Sequence, residues 1–213
     1  MRWAGPALVV LLLATGCAEV TRRPPPPPPA GLVGTATDPT RAALEAAAVA
    51  FADRGIALAG RPAEAAQALA QLEYVAATLP HASRYAQVSD GIGRELALAR
   101  SEARDALGVA ETADSMTVVN ALLAAAEALR AGNRAAAAEA LPAPLFRPGG
   151  AGSVARLGEL GPLPQTAIAT DLAAQAVARV DALSIAGPTR LPETSLGLGS
   201  HTTTFGGALG VGY

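Results

Sequence analysis

Side chains able to do chemistry are sparse in this chain of 213 residues. There is one cysteine, Cys17, and there are two histidines, His81 and His201. Neither histidine has a second His or Cys at the short spacing a tetrahedral metal site needs, so no metal ligand set is indicated. A Ser-His-Asp arrangement is defined by geometry and not by chain order, but no G-x-S-x-G turn presents a strained nucleophile. The run Arg94, Glu95, Arg100, Glu102, Arg104 and Asp105 brings acids and bases close together. On a helix it reads as a solvated face, with Asp90 and Arg94 four apart and able to pair for about 0.2–0.5 kcal/mol. The glycines of Gly197-Leu198-Gly199-Ser200 and of Gly206 to Gly212 lack the preceding strand and following helix of a phosphate-binding loop. No catalytic residue, cofactor site or metal site is expected, and the chain reads as non-enzymatic.

The elements around Cys17 give it a different chemistry. Arg2 precedes an apolar run from Ala7 to Ala14, and Thr15-Gly16 lead into the cysteine. A basic start, a short apolar stretch and a small-residue cleavage site make a secretory signal. The run is too short to span a bilayer, which takes about 20 apolar residues. Ala14-Thr15-Gly16-Cys17 resembles the lipobox of bacterial prolipoproteins, with Ala14 where that family most often has Leu. The resemblance implies removal of residues 1–16 and lipidation of Cys17 by a diacylglyceryl group and an N-terminal acyl chain of the palmitate type. Three chains, at about 0.8 kcal/mol per buried CH₂, exceed what stable anchoring requires. Ala18, in place of Asp, implies delivery to the outer membrane, facing the periplasm. An ordinary signal peptidase site is the alternative; it would leave an exported lone thiol open to oxidation.

Residues 17–37 then form a proline-rich linker. Arg22 and Arg23 precede Pro24 to Pro29, and six residues of polyproline II helix extend roughly 19 Å. The run reads as a post holding the following domain off the membrane, or as a ligand for an aromatic groove in a partner.

Composition points to an all-α domain over 38–183. Hydrophobic residues make up 51% but aromatics only 3%, so alanine supplies much of the apolar content, with high helix propensity and little burial. Asp38-Pro39 suits a helix start, and Leu44, Ala48, Phe51, Gly55 and Leu58 form its stripe up to Gly60. Ala65, Leu69, Leu72, Ala76 and Leu79 mark a second helix after Arg61-Pro62. Ser83 begins a third, with Tyr85, Val88, Ile92, Leu96 and Ala99 inward and Gly108 at its end. Asp114 or Ser115 caps a fourth through Val118, Val119, Leu122, Ala126 and Leu129. Gly132-Asn133 joins it to a short fifth helix, Ser153 caps a sixth, and Ile168, Leu172, Ala176, Val180 and Leu183 make the inward stripe of a seventh. About seven helices with short connections favour a small bundle or a stack of antiparallel pairs. The step at Gly132 has the look of a tetratricopeptide hairpin, but no repeat of about 34 residues recurs.

Residues 184–213 are a Gly-rich tail, read as flexible. Within it Phe205, Gly207, Leu209, Val211 and Tyr213 alternate with small residues, which is strand periodicity. The ending resembles the C-terminal strand of outer-membrane β-barrel proteins and makes Phe205, Leu209, Val211 and Tyr213 candidate partner-binding residues. One strand alone cannot satisfy its backbone in lipid, so it would need a partner's sheet edge.

The net charge of −2, more negative still once Arg2 is removed, offers no basic face for nucleic acid. The expected function is a membrane-anchored helical adaptor or scaffold in the periplasm, with an outer-membrane or periplasmic protein partner. The alternative is a small-molecule carrier or chaperone with an apolar pocket between helices.

Overall fold

The computed structural model describes residues 27–186. Cys17, residues 1–16, His201 and the candidate tail residues Phe205, Leu209, Val211 and Tyr213 lie outside that range. The described residues form seven α-helices and no strand: α1 (Pro39–Phe51), α2 (Pro62–Thr78), α3 (Asp90–Leu107), α4 (Ser115–Arg130), α5 (Arg134–Ala140), α6 (Gly150–Gly158) and α7 (Pro164–Ala186). The all-α expectation and the helix number hold.

Local chemistry explains most boundaries. Asp38 accepts from Arg41 N at 3.0 Å, Asp114 from Thr117 N at 2.8 Å and Asn133 from Ala136 N at 3.0 Å. Each satisfies an N–H that the helix cannot. Gly108 closes α3 in the left-handed conformation at φ 77°, which glycine adopts without strain. An added Cβ there would sit 2.0 Å from the Arg147 carbonyl oxygen.

α2 is the centre of the fold. It packs against α1, α3, α4 and α6 and is buried on almost every side, from Ala65 and Leu69 to Tyr74 and Val75. Its neighbours α3 and α4 run antiparallel to it. Early in α2, Gln67 meets Arg130 at the end of α4; Gly93 at the start of α3 lies against Pro80 just beyond α2, and Arg104 late in α3 meets Glu73 further back along α2. Alanines at these seams let the backbones approach, and Phe51, Leu72, Leu96, Leu122, Phe146 and Leu157 fill the remaining space.

Four expectations need correction. Helix α1 ends at Phe51, not Gly60: Arg54 and Gly55 take positive φ, 65° and 77°, and Leu58 reaches the core from a separate 3₁₀ turn, Ile56–Leu58. Helix α3 starts at Asp90, not Ser83; Ser83–Tyr85 is a 3₁₀ turn, which leaves Gly91 and Gly93 in the first turn of the helix. Ser153 lies inside α6, where its Oγ accepts from Gly149 N at 3.0 Å. The inward stripe of α7 is displaced: Thr166, Ala169, Ala173 and Val177 are buried, and of the expected residues Val180 is buried while Ile168, Leu172 and Leu183 are exposed.

The packed domain also begins before residue 38, and its last helix continues past 183. Leu32 is 1% exposed, and its carbonyl accepts from Gln67 Nε2 at 2.8 Å and Gln71 Nε2 at 3.0 Å. The chain just after the proline run is thus docked on α2. At the other end, α7 runs on to Ala186.

Candidate functional site

Charged groups gather in two places, and both join distant parts of the chain. The first lies where α1 begins and α7 ends. Asp38, besides capping α1, accepts from the Tyr85 hydroxyl and pairs with Arg84 Nε at 3.2 Å. Arg84 Nη2 reaches Asp181 Oδ1 at 3.1 Å, and Arg41 Nη1 reaches Asp181 Oδ2 at 2.9 Å. Asp181 Oδ2 is buried without an aligned hydrogen bond, so charge holds it rather than a directed donor. Arg41 also pairs with Glu45 at 2.8 Å, which raises its pKa above the usual arginine value. The Arg84 guanidinium is likewise pushed up, by its hydrogen bond to Asp181, and sits 5.7 Å from the centre of the Tyr85 ring.

Burial, and then the bond to Asp38, push the Tyr85 hydroxyl well above the ordinary tyrosine value. A phenol in that state donates its proton to a fixed acceptor and is a poor nucleophile or base. Both carboxylates face arginines. This arrangement can hold α1 and the 3₁₀ turn to α7; it does not offer a poised acid–base pair.

The second place is the α2–α3 seam. Arg104 pairs with both oxygens of Glu73, Nε lying 3.1 Å from Oε2. The two side chains are 12% and 5% exposed. Arg104 further donates to the Glu111 carbonyl and to Ser115 Oγ. Glu102 lies nearby on α3. Its carboxylate accepts from Gln165 N at 3.1 Å and Thr166 N at 2.7 Å, capping α7 from another helix. The charged run on α3 is therefore only partly a solvated face. Arg104 and Glu102 are structural links whose partners lie 31 and 64 residues away, and no local pattern announces them.

His81 is exposed and borders a shallow open depression with Arg94 and Arg100. Among the described residues no group of three His, Cys, Asp or Glu is placed to hold a metal ion.

Two open clefts meet at Gln67 and Arg130. One, of about 520 Å³, has Val49, Ala57, Leu58 and Ala68 on its walls and Asp53, Arg61 and Glu64 at its rim. The other, of about 590 Å³, lies between Pro29–Gly31 and α4. The bond from Arg130 Nη2 to Gln67 Oε1, 2.9 Å long, separates them. The interior seam among α2, α3 and α4 has only about 10 Å³ of free space. No family model, curated protein or solved structure matches the chain.

Proposed function

We propose that this chain is a non-enzymatic bacterial lipoprotein, anchored through Cys17 to the periplasmic face of the outer membrane. Its helical domain acts there as an adaptor or scaffold. The observation that carries this reading is Ala14-Thr15-Gly16-Cys17, with the one cysteine of the chain in the lipidated slot of a motif that follows a signal-like leader. Two features support it. The chain after the proline run is bonded into the fold at Leu32, as a load-carrying post would be. The ionisable clusters link structural elements instead of opening onto a reaction chamber.

The carrier reading calls for an apolar space between helices. The α2–α3–α4 seam, at about 10 Å³, is at the lower limit for a single water molecule, and the cleft of about 520 Å³ beside Val49 and Leu58 is open rather than enclosed, which favours the adaptor. No helix among the described residues is long and apolar enough to cross a membrane; in this reading the lipid alone holds the domain.

Cell fractionation of the chain and of Cys17→Ser tests the anchor. The parent is expected in the outer membrane and the variant outside it. Equal partitioning of the two would overturn the proposal. Crosslinking in intact cells followed by capture then tests the adaptor role, and an envelope protein recovered with the parent and lost with Tyr213→Ser would assign the contact to the tail.

A further inference from the structure

α7 faces the domain with alanine, threonine and valine and turns Ile168, Leu172 and Leu183 to water. Ala169, Ala173 and Val177 pack inward against α1 and α3. Ile168 is 54% exposed, Leu172 37% and Leu183 67%. Asp171, Gln175, Ala178, Arg179 and Ala182 are exposed on the same helix. Leu98, on the neighbouring α3, adds another exposed aliphatic side chain at 55%. Scattered exposed leucines are ordinary, but a file of them along a 23-residue helix is a face suited to another helix.

We propose that this face seats the same face of a second copy of the chain, with the two α7 helices antiparallel about a two-fold axis at Gln175. The support is a symmetry internal to the exposed residues. About Gln175, Asp171 and Arg179 are equidistant, so the antiparallel arrangement sets each acid against the other copy's base, twice per pair. Leu172 falls opposite Ala178 and Ile168 opposite Ala182, large against small each time. A parallel pairing would oppose Asp171 to Asp171 and Arg179 to Arg179. A two-fold interface must be self-complementary in this way, whereas a face for an unrelated partner has no reason to be. Gln175 also fixes the charges: its Nε2 donates to Asp171 Oδ2 at 2.9 Å, and its carbonyl accepts from Arg179 Nε at 3.2 Å.

The pairing does not depend on the lipid anchor, although a shared membrane would raise the effective concentration of the copies. The test uses the full chain in mild detergent, read by sedimentation velocity, with circular dichroism confirming that each variant is folded. The parent is expected at twice the chain mass. Asp171→Arg or Arg179→Asp should weaken association about ten-fold, and the double exchange should restore it, which only antiparallel opposition allows. In a Cys17→Ser background, which removes the native thiol and any effect of its lipid, Gln175→Cys should form a disulfide-linked dimer. Ser184→Cys should not, because the two copies of that position would lie about 27 Å apart along the axis. A monomeric parent, association indifferent to Asp171→Arg, a double exchange that fails to restore it, or equal crosslinking at positions 175 and 184 would overturn the proposal.

Discussion

α2 and α7 are both alanine-rich helices that open with proline, yet one is buried on nearly every side and the other on one side only. The difference lies in their neighbours. Four helices surround α2, and its polar side chains Gln71 and Glu73 are buried against specific partners, Leu32 and Arg104. α7 has α1 and α3 on one side and turns its larger aliphatic groups to water. In an alanine-rich helix, then, propensity makes the helix but packing partners decide its faces.

Substitutions that sharpen this contrast should divide by helix. Glu73→Ala strands the Arg104 guanidinium in the α2–α3 seam. It is expected to cost about 3–5 kcal/mol in urea unfolding. Phe51→Ala, against the same core, should cost a similar amount, about 3–5 kcal/mol, through its cavity. Ala173→Leu, on the inner face of α7, should overpack the α1–α7 contact by about 1–3 kcal/mol. Glu102→Ala, which uncaps α7, should cost about 1 kcal/mol. Ile168→Ala and Leu183→Ala on the outer face should change unfolding by under about 0.5 kcal/mol in dilute, monomeric protein. A loss from Ile168→Ala as large as that from Phe51→Ala would erase the distinction between the faces.

The smallest effects are pH-dependent. The Thr117 N–H holds the Asp114 carboxyl below its ordinary value. That cap therefore stabilises α4 above the ordinary carboxylate range and is lost as pH falls through its lowered value. Tyr85 has the opposite sign. Its raised pKa makes its contribution complete below the ordinary tyrosine value and lost as pH rises beyond it. Tyr85→Phe should flatten the alkaline limb of a stability–pH profile, and an unchanged limb would remove Tyr85 as its source.

The sequence made the local features legible. Asp38, Asp114, Gly132-Asn133 and Gly108 each mark a boundary because caps act within one turn. The α2 stripe was legible because its leucines are spaced for one face, although the burial of the opposite face was not. Three things were hidden for physical reasons. The Arg84–Asp181 pair spans 97 residues, so no spacing rule reaches it. Ser83 had the residue type of a cap, but Tyr85 is held by Asp38 before the helix begins. The faces of α7 were both apolar enough to be buried. Ile168, Leu172 and Leu183 nonetheless lie outward and only Val180 of the larger residues in that stripe is buried, because the seam against α1 and α3 admits alanine and threonine. The candidate residues Cys17, Phe205, Leu209, Val211 and Tyr213 lie outside the described residues and were legible only as motifs.

The anchor is the claim on which the functional reading stands, and the intact mass of the protein purified from bacterial membranes tests it most directly. The account predicts a chain that begins at Cys17 and carries the added mass of a diacylglyceryl group and one acyl chain, reduced in Cys17→Ser to a protein without lipid. A parent chain whose mass fits the polypeptide alone, with a free thiol at Cys17, would contradict it.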